Sequence, residues 1–164
     1  MKISIEKAIW ASFLLSLAVM VMIFCFSAES GEQSSRTSDE ITQAVITAVY
    51  PDYRTYSPGK QMSIRQMISH TVRKTAHFIE FSMLGFSLML FFTFLNRKRP
   101  LPFPFLTAWI IGALYAGSDE LHQRFVSGRA ANIADVALDS AGVLFGAVVV
   151  RAFFLIHEKK KKQG

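Results

Sequence analysis

The side chains best suited to chemistry fall in four short groups. Lys74, His77 and Glu80 recur about once per turn on one side of a helix, and Asp119, His122 and Gln123 share about a third of another helix's circumference. Glu120 points more to the side. Asp135 and Asp139 are four apart and stack on one face, and Arg129 precedes them. Two chemistries suit this set. His77-x-x-Glu80 facing Asp119-x-x-His122 offers paired ligands for a divalent metal. Alternatively, His77 or His122 is a general acid/base oriented by a carboxylate, while Lys74 and Arg129 grip a phosphate. No P-loop, nucleophile elbow or H-E-x-x-H zinc motif is present.

The elements that must position these groups are membrane spans. The chain has 164 residues, 51% hydrophobic, with 15 Phe and only 18% charged, fewer charges than an ordinary soluble domain carries. Stretches 8–26, 81–95 and 101–118 have no charge at all, and the charged residues crowd between them. The expected fold is all-α and polytopic: one domain over 1–164, with four transmembrane helices at about 8–26, 74–95, 101–123 and 133–156. A polar and amphipathic outer segment, 27–73, separates the first two. In it, 27–38 reads as a Ser-rich loop, and Thr37-x-x-Glu40 reads as a capping box opening a short amphipathic helix (Ile41, Ala44, Val45, Ala48, Val49). A second amphipathic stretch, Met62 to Val72, is expected to lie in the headgroup layer. The first 26 residues read as an uncleaved anchor, because their apolar run exceeds that of a signal peptide.

Charge placement also decides partners. The net charge of +6 comes from 18 Lys and Arg against 12 Asp and Glu. It sits in flanking clusters: Lys2 and Lys7, Arg97 to Arg99, and Lys159 to Lys162. Such clusters bind lipid headgroups and point to cytoplasmic termini; they exclude nucleic acid as the partner. Cys25, the one cysteine, has no partner for an internal disulfide or a Cys-based metal site. Asp135 and Asp139 continue inward as Gly142 and Gly146, a small-xxx-small face for close helix packing.

Ionisable groups inside a bilayer cost about 2.5–3.5 kcal/mol each and point to function by default. The structural readings stand beside that one. Lys74, Arg129 and Arg151 can snorkel to the interface, Glu120 can be a solvated helix-end charge, and His77, Glu80, Asp135 and Asp139 can be interhelical glue.

Several of these segments together resemble the VanZ-like family: Lys74-Thr-Ala-His77-Phe-Ile-Glu80-Phe, Asp119-Glu120-Leu-His122-Gln123-Arg-Phe, Gly128-Arg129, and Asp135-Val-Ala-Leu-Asp139-Ser-Ala-Gly142. The Ser27 to Ser35 stretch resembles that family's polar segment after the first span. Asp139 stands where many members carry Asn. The resemblance spans about 8–150 and implies a polytopic membrane protein. The founding member is associated with low-level resistance to teicoplanin, a lipid-tailed glycopeptide. The expectation is an outer-leaflet pocket of His77, Glu80, Asp119 and His122 as candidate acid/base or metal residues. Lys74, Glu120, Gln123, Arg129, Asp135 and Asp139 are its candidate binding residues. The expected ligand is an envelope lipid or a lipid-tailed molecule, bound by an enzyme or by a non-catalytic binder; a scaffold held by a polar network is the rival. Homo-oligomerisation stays open, and a transporter would need it.

Overall fold

The computed structural model describes residues 4–129 and 132–163, with side chains through Lys161. Lys2 and the side chain of Lys162, both counted among the basic flanks, lie outside the described residues. The chain folds as α1 (Ile5–Ser27), α2 (Gly31–Thr37), α3 (Asp39–Val49), α4 (Pro58–Lys98), α5 (Pro104–Gln123) and α6 (Ile133–Gln163). A 3-10 turn, Tyr53–Thr55, joins α3 to α4, and no strand occurs among the described residues.

Three helices, α1, α4 and α6, are long and apolar enough to cross a membrane. At 20 residues, α5 has the length, but Asp119 and Glu120 fall within its last turns and Pro104 at its first, so its best window is less apolar than theirs. It nevertheless exposes Leu106, Ile110, Leu114 and Leu121.

The hub is α4, which packs against α1, α3, α5 and α6. Its core face (Phe81, Leu84, Leu88) meets Ala108 and Ala116 of α5 and Val143 and Ala147 of α6. The approach to α6 is backbone to backbone. A Cβ placed on Gly146 would lie 1.9 Å from the Ser82 carbonyl oxygen, and one on Gly85 would lie 2.0 Å from that of Val143. Gly142 is held 2.7 Å from the Phe78 carbonyl by the same measure. The small-xxx-small face of α6 therefore meets α4. On α1, the buried stripe is Ser12, Ser16, Val19, Ile23 and Ser27. Ser12 and Ser16 satisfy their hydroxyls on carbonyls of their own helix, at 2.7 and 3.0 Å.

The outer segment differs from its expected form. Residues 31–37 are helical, because the Ser30 hydroxyl accepts from the Gln33 N–H (3.2 Å) and Arg36 pairs with Glu32 one turn earlier (2.7 Å). The Thr37–Glu40 capping box does not form: Thr37 closes α2, its hydroxyl donates to the Gln33 carbonyl (3.1 Å), and Ser38 stands at the start of α3. Residues 62–72 are not a separate interfacial helix but the first half of α4, whose 41 residues run about 60 Å, twice the hydrocarbon thickness. α3 folds back on this half: Thr42 and Ile46 are buried toward α4, where Ile64 is buried too, and Arg65 pairs with Asp39 at 2.5 Å. The apolar face expected of α3 lies on its other side, with Ile41 and Val49 exposed.

The glycine contacts carry a prediction. Gly146→Leu should lower the detergent melting temperature by about 6–12 °C, the equivalent of roughly 3 kcal/mol of overpacking. Gly117 has nothing within 4 Å of an added Cβ, so Gly117→Ala should melt at or slightly above the parent temperature. Melting curves of the two variants side by side check this, and equal behaviour would remove the close-approach argument.

Candidate functional site

The site forms where α4, α5 and α6 meet at the end carrying the charged residues. Asn132 organises the start of α6: its side-chain oxygen accepts from the Ala134 N–H (3.0 Å) and its carbonyl accepts from the Asp135 N–H (2.8 Å). Its own N–H donates to Glu120 at 2.5 Å, fixing α6 to α5. Glu120 is therefore buried and points into the site rather than standing as a solvated helix-end charge.

A cavity of about 360 Å³ opens there. Lys74, His77, Glu120, Gln123, Arg129, Asp135 and Asp139, all named from the sequence, line it. Asp135 forms an ion pair with Lys74 across α6 and α4, with both side chains about one-third exposed. Asp139, one turn deeper, is 2% exposed, and its Oδ1 has no hydrogen-bond partner among the described residues. A second cavity of about 160 Å³ adjoins on the α1 side, lined among others by Glu29, His77, Glu80 and Arg129. His77 and Arg129 line both.

Two expected members turn elsewhere. Asp119 and His122 face α1, not the cavity. Asp119 accepts hydrogen bonds from the Ser27 hydroxyl (2.7 Å) and the Gln123 amide (2.8 Å), and the His122 ring stacks on Phe24 with centroids 4.8 Å apart. Tyr115, one turn before Asp119, faces the same way and donates to the Met20 carbonyl at 2.6 Å. The rotation of α5 thus sends positions 115, 119 and 122 to α1 and position 120 to the cavity. His77, Glu80, Asp119 and His122 consequently do not converge as a metal set, and no group of three metal-ligating side chains occurs among the described residues. Within the proposed acid–base pair, His77 Nδ1 is 3.9 Å from Glu80 Oε2, beyond hydrogen-bond distance. Both of those atoms are buried without partners among the described residues. Unpaired buried polar atoms cost about 1–3 kcal/mol each, so the arrangement is one that polar groups of a ligand or water would complete.

Arg129 has a double position. Its Nε donates to the Glu29 carbonyl and its Nη2 to the Phe26 carbonyl, both at 2.9 Å, so it closes the C-terminal end of α1. Burial holds its pKa below the usual guanidinium value, with Asp119 the largest opposing influence and Arg73 pushing the same way as burial. Alongside it, Gly31 N–H donates to the Ser127 carbonyl at 3.0 Å. The backbones approach so closely that a Cβ on Gly31 would lie 2.3 Å from the Gly128 carbonyl oxygen. Gly128 itself adopts φ +74°, a conformation that favours glycine.

Sequence reasoning missed Ser27, Glu29, His70 and Arg73. The signal for the last two is in the sequence: 70, 73, 74 and 77 share one helical face, which continues past the expected start of the span at 74. Ser27 and Glu29 lie in what read as a loop.

The family model VanZ-LLP1, described as VanZ/LLP1, matches residues 12–155. No curated protein and no solved structure matches the chain.

The two polar groups should respond differently to mutation. Asp119→Ala leaves the Ser27 hydroxyl without its acceptor and removes one of the two acceptors of the Gln123 amide, and should destabilise by about 2 kcal/mol. Glu80→Gln and His77→Ala remove no hydrogen bond among the described residues and should melt within about 0.5 kcal/mol of the parent. Thermal melts in detergent measure both, and a Glu80→Gln loss as large as that of Asp119→Ala would reclassify Glu80 as helix glue.

Proposed function

The chain belongs to the VanZ-like family, and from that we propose a four-span membrane protein whose outer-leaflet cavity binds the polar head of an amphiphile. The ligand class is an envelope lipid or a lipid-tailed glycopeptide, and the role is envelope maintenance or teicoplanin tolerance. The observation that carries the reading is the cavity of about 360 Å³, where cationic and acidic side chains meet at the ends of apolar helices. Its volume falls in the range of roughly 300–1,000 Å³ typical of small-molecule sites. A ligand anchored by an apolar tail would present its head at this level.

The fourth span is supported by α5, which is long enough to cross and exposes large apolar side chains along its length. Cytoplasmic termini are supported by Arg97, Lys98 and Arg99 in the short α4–α5 turn and by Lys159 to Lys161 at the end of α6. That orientation puts the cavity on the outer face. A scaffold reading has its own support, the Ser27–Asp119–Gln123 network, which ties α1 to α5 and meets the cavity at Gln123.

Two measurements test the proposal. With Cys25 replaced by Ser, cysteines at Ser57 and Ser127 should react with impermeant reagents in intact cells, and one at Asn96 should not; the inverse pattern places the cavity in the cytosol. In detergent, the purified protein should bind dihexanoyl phosphatidylglycerol about tenfold more tightly than dihexanoyl phosphatidylcholine, through charge-assisted contacts at the cavity. Equal, weak binding of both, with normal melting, would favour the scaffold.

A further inference from the structure

We infer that Arg73 seats the anionic group of the ligand, and that the ligand's head continues past it into the trough between α2, α3 and the first half of α4. This rests on the proposal that the cavity binds an amphiphile, and it specifies the head as a phosphate carrying a hydroxyl-rich substituent.

The neighbouring arginines are all engaged. Arg36 pairs with Glu32, Arg65 with Asp39, and Arg129 with two carbonyls. Lys74 pairs with Asp135. Arg73 is half-buried and has neither an ion pair nor a hydrogen bond among the described residues, yet it lines three cavities at once. A guanidinium offers five donors in a planar fork that suits phosphate or carboxylate oxygens. Arg73 and Arg129 are also close enough for their charges to oppose one another, a repulsion that an anion between them would relieve.

The third cavity, about 550 Å³, extends from Arg73 along the face of α4 away from the apolar half. His70 and Arg73 line it and the 360 Å³ cavity alike, so the two are neighbours along α4. Its other walls are Glu32, Ser35, Arg36 and Asp39 from α2 and α3, and Arg65, Gln66 and Ser69 from α4. Gln66 and Ser69 donate no side-chain hydrogen bond among the described residues, which leaves amide and hydroxyl groups for a polyol. A bare phosphate would fill only the junction. Either cavity alone is of small-molecule size, so the pair suits a head larger than that of a simple phospholipid.

The experiment uses the purified full chain in detergent and three probes: inorganic phosphate, dihexanoyl phosphatidic acid and dihexanoyl phosphatidylinositol. The inositol lipid should bind about tenfold more tightly than phosphatidic acid, and inorganic phosphate should compete poorly with both. Arg73→Gln should weaken both lipids by about tenfold, the size of one charge-assisted contact, with Arg73→Lys partly restoring binding. Gln66→Leu with Ser69→Ala should abolish the inositol preference and leave phosphatidic acid binding unchanged. Melting curves confirm that each variant is folded. Both lipids binding equally, or inorganic phosphate competing as well as the lipids, would overturn the extended head. Lipid binding indifferent to Arg73→Gln would overturn the anion seat while leaving the amphiphile site standing. Failure of every probe to bind the parent protein would instead count against the amphiphile site itself.

Discussion

α4 and α6 touch through their backbones at Gly85, Gly142 and Gly146, and the rest of the molecule is arranged around that contact. In a bilayer no hydrophobic effect drives helices together, so association depends on close packing and interhelical polar contacts. Glycines supply the first and leave no side chain between the two axes. One turn outward on α6 stands Asp139, and one further turn out stands Asp135, paired with Lys74 on α4. The close approach thus sets how far apart the acids and cations of the site are held. Gly112 extends the contact to α5, where an added Cβ would meet a Val143 methyl at 2.4 Å. The three-helix junction below the cavity is therefore a packed floor.

Above that floor, the rim is closed by backbone instead of by side-chain packing. The end of α1, the start of α2 and the loop after α5 are joined by Gly31 N–H, by the two Arg129 hydrogen bonds and by Gly128 at positive φ. Glycine at both 31 and 128 permits this, since a side chain on Gly31 would meet the opposing backbone. Arg129 serves the rim and the cavity together, which is why a snorkelling account of it is incomplete.

Much of this was legible in the sequence. Charge-free stretches located the apolar helices, and Gly142-x-x-x-Gly146 located the α4–α6 contact. Spacing within each helix, together with a topology in which three helix ends meet on one face, grouped Lys74 and His77 with Asp135 and Asp139. Two kinds of information were not legible. Helix rotation about its own axis decides whether Asp119 or Glu120 faces the cavity, and residues one apart differ by about 100°, so a small error in assumed facing exchanges their roles. Helix continuity was the other: charged residues at 60, 65, 73 and 74 read as an interfacial segment, yet nothing in 58–98 breaks a helix after Pro58. Only the partner, α3 packed along that half, makes an extended α4 intelligible. The Ser-rich 27–38 segment misled for a related reason, because serine favours both loops and helix caps, and Ser30 is used as a cap.

The vertical order of charge in the site follows from position along α4 and α6, and side-chain length accentuates it. Lys and Arg carry their charge on long flexible stems and can reach outward to water, whereas Asp and Glu leave theirs near the backbone that bears them. Along α4 the order outward is Glu80, His77, Lys74, Arg73, His70, and on α6 Asp139 lies inward of Asp135. Arg73, Lys74 and its partner Asp135 therefore stand nearer the mouth, while Glu80 and Asp139 lie deeper. That separation gives a cavity two distinct surfaces. On the proposed reading an anion would meet Arg73 and Arg129 first; deeper, Asp139 Oδ1 beside the 360 Å³ cavity and Glu80 Oε2 beside the 160 Å³ one have no partner among the described residues. Asp119 accepts from Ser27 and Gln123 through Oδ2 alone, and its Oδ1 is likewise buried without a partner among the described residues. The same residue type thus serves two ends: Asp119 joins α5 to α1 through one carboxylate oxygen, whereas Asp139 lines the cavity with neither oxygen bonded to another described side chain.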